Sequence, residues 1–375
     1  MLSFEPDIAR GKVPAIVVCG IDRRTRTETI ERILATGRTR WAVVSNEIEG
    51  PDFASAATER IAGRMVPHAI GCLCCVIRSG LVSSLRRLFA LRGQGEADFD
   101  QVVIEMLPDD DPAPVMQTLL NNALVTEYFR LDSVVVAMAA DGFTSLAASQ
   151  YGFKQLAVAD RIVLDPAALG EIGMHDRIGR LNPAAALLGS DHAELSKAVL
   201  GAGLEACLLQ GDLGGWLAQA HYADLDGLEQ GLHGFAIEFD APLDWDAFHG
   251  WLNAGTQSNG DFMYRTKGAI LVDGFKGPVV INGAQHVYQP PHLLPDTAID
   301  RSHLLFITDD LDRAAVEHSL RNDLPQFGDS VRLAPRAQPA QRWTPRFLSR
   351  CRRLPRVWPV VAPISPASGG DAPCL

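Results

Sequence analysis

Three of the seven cysteines in this chain fall in one short run, Gly71-Cys72-Leu73-Cys74-Cys75-Val76-Ile77-Arg78. Thiolates are ligands for zinc and for softer metal ions. A closed structural zinc site takes four protein ligands, so three sulfurs leave one position open, and an open site can release an ion as well as hold it. On a strand, Cys72 and Cys74 share one face and Cys75 opposes them. Convergence on a single ion therefore requires the backbone to turn, with Gly71 as the pivot. Two other readings stay open: an apolar turn in which cysteine serves as a small hydrophobe, and a vicinal disulfide. The remaining cysteines, Cys19, Cys207, Cys351 and Cys374, are scattered and carry no ligand spacing.

The whole chain limits what such a site can serve. Its 375 residues suit two domains. Hydrophobic residues make up 47% and charged residues 21%, as in ordinary globular proteins. A net charge of −11 argues against nucleic acid or an anionic membrane as the main partner. No apolar run reaches membrane-spanning length. The first residues, Met1-Leu2-Ser3-Phe4-Glu5-Pro6-Asp7, lack the basic start and apolar core of a signal peptide. The expected location is the cytoplasm, where thiols stay reduced, which favours metal over disulfide chemistry at the cysteine run.

The elements that must position these residues are legible as alternating apolar patterns. Val13–Cys19 is a short apolar run bounded by Gly20, and it reads as a buried parallel strand. A turn over 20–27 leads into a helical pattern through Leu34, with Thr25 and Glu28 at capping-box spacing. Further strands are expected at Trp41–Ser45, 99–106, 131–138 and, as the last, Arg161–Leu164. Helices are expected after the cysteine run and over 112–129 and 144–158. This alternation predicts an α/β fold, a doubly wound, mostly parallel sheet of the P-loop NTPase-like kind, with ligands beyond the carboxyl ends of the strands. A small α+β C-terminal domain follows, with strands at 235–239, 269–272 and 304–307 and helices over 244–252 and 311–320. Trp245, Phe248 and Trp251 are read as core. The expected division is a first domain over 1–195, a linker over 196–232, a second domain over 233–330 and a disordered tail over 331–375.

Taken together these pieces resemble the CobW-type family of P-loop GTPases linked to metal delivery. Gly71-Cys72-Leu73-Cys74-Cys75 matches the family's G-C-x-C-C, and Asn46-Glu47 matches its Asn-Glu after the second strand. Ile104-Glu105 and Asp111-Pro112 resemble its Walker-B-side stretch, and Ala159-Asp160-Arg161-Ile162-Val163-Leu164 the strand before the base-recognition motif. Arg265-Thr266-Lys267-Gly268 and Gly283-Ala284-Gln285-His286 resemble its C-terminal domain. The resemblance implies that Cys72, Cys74 and Cys75, joined by Glu47, hold zinc or another divalent metal. Glu49 and His68 are weaker candidates, and a solvated loop acid is the alternative for Glu47. It also implies a nucleotide site at Gly20, Arg26, Thr27 and Glu105, and a client metalloprotein as partner.

The nucleotide motifs depart from the family. A P-loop reads G-x-x-x-x-G-K-[ST], with glycines that let backbone N–H groups curl around phosphates. Here the second glycine is Thr25 and the lysine is Arg26, a wide planar fork in place of a compact ammonium. Arg23 and Arg24 stand where the family prefers small residues. The N-K-x-D that reads guanine has become Asp165-Pro166-Ala167-Ala168, which lacks the pairing carboxylate. The S/T-G after Glu105 has become Met106-Leu107-Pro108. The expectation is a metal-binding, metallochaperone-like accessory protein with GTPase activity weak or lost, no catalytic residues assigned, and GTP·Mg²⁺ a doubtful cofactor. The alternatives are a divergent GTPase driving metal insertion and an activator of a metalloenzyme such as nitrile hydratase.

Overall fold

A computed structural model describes residues 11–35, 39–45, 57–60, 73–108, 110–171, 173–182, 185–201, 232–294, 298–309, 311, 313–324 and 331–333. The chain opens with β1 (Val13–Cys19), α1 (Arg23–Ala35), β2 (Trp41–Ser45) and β3 (Ala57–Arg60). Then come α2 (Leu73–Gln94), β4 (Gln101–Glu105), α3 (Pro112–Asn121), α4 (Ala123–Thr126) and β5 (Phe129–Met138). After these follow α5 (Gly142–Ala148), α6 (Gln150–Val158), β6 (Arg161–Leu164), α7 (Pro166–Gly170), α8 (Met174–Leu181), β7 (Ala186–Gly189) and α9 (Leu195–Val199).

The strands form one parallel sheet in the order β3-β2-β4-β1-β5-β6-β7. Side chains alternate along a strand, so β1 feeds two layers. Ala15, Val17 and Cys19 face a core closed by α2, α3, α6 and α8. Ile16 and Val18 face a second core closed by α1 and α9, with Ile30, Ile33, Leu195 and Val199. Burial on both sides explains why β1 reads as a continuous apolar run. This is the doubly wound sheet that the alternation predicts.

Several boundaries differ from the pattern-based expectation, each for a local reason. The helix expected over 112–129 breaks at Asn122, whose side chain accepts the Leu124 N–H at 3.1 Å and starts α4, and the chain is already extended at Phe129. The helix expected over 144–158 breaks at Ser149, whose hydroxyl accepts the Gly152 N–H at 3.2 Å. Arg161–Leu164 is not the last strand, because β7 adds beside it. β3 and β7 are four residues each, too short for a period-2 signal.

The second domain contains β8 (Leu232–Phe239), α10 (Trp245–Asn259), β9 (Arg265–Leu271), β10 (Pro278–Ala284), β11 (Val287–Tyr288), β12 (His292–Leu293), β13 (Ser302–Asp309), α11 (Arg313–Asp323) and β14 (Val331–Leu333). Its sheet is antiparallel, in the order β11-β10-β9-β13-β8-β14, with β12 on β10. One face is covered by α10 and α11 around Phe235, Phe248, Trp251 and Phe306. The Trp251 indole donates to Ser319 Oγ at 3.0 Å, which satisfies its one polar atom inside this core. β14 extends the sheet three residues into the segment assigned to the tail.

The other face of that sheet meets the first domain. Tyr264, Ala284 and Ile307 join the first domain's core. Gln117 of α3 donates to the Ala284 carbonyl at 3.4 Å and to Gln285 Oε1 at 3.2 Å. Deeper in the seam, Lys267 of β9 forms an ion pair with Asp160, the residue just before β6, and both side chains are buried. No helix among the described residues is long and apolar enough to cross a membrane.

Candidate functional site

The carboxyl ends of β1, β2 and β4 lie side by side, and they bring Gly20, Ser45 and Glu105 together. Gly20 turns the chain out of β1 with φ of +138°, and a Cβ there would meet the Ala137 carbonyl oxygen at 2.4 Å. Only glycine fits that turn. α1 then begins at Arg23, only three residues on.

That early start changes what the loop presents. Asp22 stands at the N-terminus of α1, and its carboxylate accepts the Thr25 N–H at 2.6 Å and the Thr25 hydroxyl at 2.5 Å. First-turn N–H groups of a helix are the donors that would otherwise face an anion. Here a carboxylate of the chain itself takes the Thr25 donor, so the cap is Asp22, not Thr25. The hydrogen bond from the Thr25 hydroxyl leads the causes that hold the Asp22 carboxyl below its ordinary 3.8. An aspartate three residues before a threonine at a helix start is a legible cap signal that the P-loop register obscured.

Substitution Asp22→Ala is expected to cost about 1 kcal/mol at neutral pH, the usual worth of an N-cap. Because the folded-state pKa is depressed, the contribution is complete above the unfolded value and is lost as pH falls through the folded one. Urea denaturation of both proteins checks this: the gap present at neutral pH should close below about pH 4.

Arg26 points inward and is fully buried. Its Nη1 donates to the Gly20 carbonyl at 2.8 Å, and its Nε donates to Glu105 Oε1 at 3.2 Å. The Ser45 hydroxyl donates to Glu105 Oε2 at 2.6 Å. The two expected cofactor-binding residues Arg26 and Glu105 are thus brought together, with Gly20, but as a closed set in which each satisfies the others. Thr27, one residue further along α1, is half-buried.

Gln155 of α6, which sequence reasoning missed, completes the arrangement. It is fully buried. Its Oε1 accepts the Gly20 N–H at 3.1 Å, and its Nε2 donates to the Pro108 and Asp110 carbonyls at 3.2 Å each. One amide therefore ties the loop after β1 to the loop after β4. Cys19 lies beneath, its thiol 3.5 Å from the Met106 sulfur, and burial pushes that thiol up to about 12. It stays protonated and is not a thiolate ligand.

The expected guanine-reading stretch is a helix start. Asp165 accepts the Ala168 N–H at 2.6 Å and caps α7, with Pro166 in the first turn. Asp111 caps α3 by accepting the Ala113 N–H at 2.9 Å, and Asp110 accepts the Leu107 N–H at 3.0 Å.

Of the expected metal ligands, Cys74 and Cys75 lie on the first turn of α2, whose backbone is helical from Leu73. Cys72, Glu47, Glu49 and His68 lie outside the described residues. Among the described residues, no group of three or more His, Cys, Asp or Glu side chains is placed to hold a metal ion.

Residues 14–182 match the CobW/HypB/UreG nucleotide-binding domain, and residues 232–324 match the cobalamin synthesis protein cobW C-terminal domain. The chain is 25% identical over 228 residues to the zinc chaperone YjiA of Escherichia coli, covering 58% of this chain and 69% of that protein. It is 26% identical over 174 residues to zinc-regulated GTPase metalloprotein activator 1 of Schizosaccharomyces pombe, covering 44% of this chain and 41% of that protein. A Zn(II)-bound crystal structure of the YjiA GTPase from E. coli shares the fold, with a TM-score of 0.57 and 17% identity over 84% of this chain and 99% of that one. With both domain models matched in order along the chain, it belongs to the CobW family, as a CobW/HypB/UreG nucleotide-binding domain followed by a CobW C-terminal domain.

Proposed function

We propose that this chain is a zinc-binding accessory protein of the CobW family whose nucleotide site has become a structural lock. The observation that carries the lock is the Arg26 guanidinium, buried between Glu105 and the Gly20 carbonyl. In a working P-loop the corresponding lysine points at phosphate oxygens. Here the cation is neutralised from within, and the Asp22 carboxylate takes the donor of the first helical turn. Asp165 closes the third part of the site by capping α7 where guanine would be read. A triphosphate and Mg²⁺ do not fit these residues, so no hydrolytic step is assigned.

Cys72, Cys74, Cys75 and Glu47 would hold the metal as cargo. What supports this is the donor set: three thiolates and one carboxylate suit zinc, and release of the single carboxylate would reopen a position for an ion that must leave. Two relatives are named for zinc, one as a chaperone and one as a zinc-regulated activator. The partner that fits is a client metalloprotein, met in the cytoplasm, with the C-terminal sheet domain available to dock it.

Metal analysis of the purified, reduced protein is expected to find about one zinc per chain, falling to background in the Cys72→Ser/Cys74→Ser/Cys75→Ser variant. Calorimetric titration with GTP and Mg²⁺ is expected to be flat. Zinc content unchanged by the triple substitution removes the metal assignment. Saturable GTP turnover abolished by Arg26→Ala replaces the lock with a divergent GTPase.

A further inference from the structure

We propose that Gln155 is a positioning residue that stands in for a bound nucleotide: it clamps the loops after β1 and β4 together and, through its neighbour Lys154, couples them to the C-terminal domain. The proposal rests on the reading of the nucleotide site as closed, and it adds the route by which that closure reaches the second domain.

The geometry lies on three consecutive residues of α6. Gln155 holds Gly20 on one side and the carbonyls of Pro108 and Asp110 on the other. In nucleotide switches, contacts to the γ-phosphate and Mg²⁺ order the loops around the ligand. Here a fully buried amide supplies three. Lys154 carries the connection outward. Its ammonium contacts Asp111 Oδ2 at 2.7 Å, and Asp111 is the residue that caps α3. The same ammonium sits 5.6 Å from the centroid of the Tyr264 ring, just ahead of β9. Phe153 meets the edge of that ring at 6.3 Å, and the Tyr264 hydroxyl donates to Asp309 at 3.1 Å.

α3 forms the second arm. It starts at the Asp111 cap and, through Gln117, reaches the Ala284 carbonyl and Gln285 at the turn after β10. Gln285 is held at φ of +55°, a left-handed conformation that non-glycine residues seldom adopt without support. Both arms leave from the loop that Gln155 pins, and both end on the β9–β10 side of the second sheet. The two arms therefore link the loops after β1 and β4 to the second domain through bonds that the protein makes itself.

Coupling between two regions is reciprocal, and that provides the test. Hydrogen exchange is followed by mass spectrometry on the full chain. Gln155→Leu is expected to speed exchange in residues 20–26 and 107–111 by about tenfold or more, and in 264–271 as well. Lys154→Met touches neither Gly20 nor Pro108, yet it is expected to speed exchange in 20–26 as well as in 264–271. Opening of 20–26 in Gln155→Leu with 264–271 at the wild-type rate would overturn the proposal. So would a Lys154→Met protein that leaves 20–26 unchanged. Should Gln155→Leu fail to fold, Lys154→Met carries the test alone, since its side chain is partly exposed. Protection of wild-type 20–26 by GTP and Mg²⁺ would overturn the closed-site reading itself. That result is told apart from failure of the clamp by the Lys154→Met comparison made without nucleotide.

Discussion

Replacing Arg26 with methionine is expected to destabilise the fold by about 3–5 kcal/mol, the cost of breaking a buried ion pair by removing one partner. The substitution leaves Glu105, 1% exposed, with only the Ser45 hydroxyl among the bonds described above, and it strips the Gly20 carbonyl of its donor. The shift in urea midpoint at constant slope checks it. The double variant Arg26→Met/Glu105→Gln is expected to lose less than the sum of the two single variants, because removing both charges removes the desolvation that each otherwise leaves uncompensated. Arg26→Lys sharpens the functional side. It restores the P-loop lysine, but not the glycine at Thr25 or the donor held by Asp22. Calorimetric titration with GTP is expected to be flat for this variant, with stability reduced because an ammonium cannot span Gly20 and Glu105 as the guanidinium does. Equal stability of Arg26→Met and wild type would show that the ion pair is no lock.

The second large effect belongs to the seam between the domains. Lys267→Met is expected to cost about 3–5 kcal/mol, again through a buried charge left alone. Asp160 would keep the Val134 N–H at 2.8 Å as a partner for one oxygen and lose the ammonium from the other. Lys267→Met/Asp160→Asn should recover part of the loss, since an amide can still accept from Val134. Because the pair joins β9 to the residue that leads into β6, the single variant is also expected to loosen the contact between domains. Small-angle scattering at neutral pH would report this as a larger radius of gyration before the urea transition. A normal radius together with full stability would mean that the apolar contacts of Tyr264, Ala284 and Ile307 hold the seam unaided.

Local chemistry made much of this molecule legible. The apolar runs at Val13–Cys19 and Trp41–Ser45 lack the alternation of a one-sided strand because both faces of the parallel sheet are dry. The departure from the P-loop pattern was also readable, because Thr25 and Arg23 carry Cβ atoms where that pattern has glycine or another small residue. Caps and breaks at Asp22, Asn122 and Ser149 were present as residue types, but Asn122 and Ser149 compete with longer helical patterns and Asp22 with an expected turn over 20–27, and only the backbone bonds decide between them.

What the tertiary structure decided is which distant groups satisfy one another. Arg26 and Glu105 are 79 residues apart, and Gly20 and Gln155 are 135 apart. From composition and spacing, Arg26 was equally an anion-binding cation. Its role turned on whether a carboxylate or solvent lay at the end of its side chain. That depends on strand order, which places β4 beside β1 and α6 over both loops. The sequence alone determined that the P-loop pattern keeps its first glycine, Gly20, and has Thr25 in place of the second. Folding determined that the space is filled by the protein's own charges, because buried polar groups must find partners and the nearest ones are neighbours only in three dimensions.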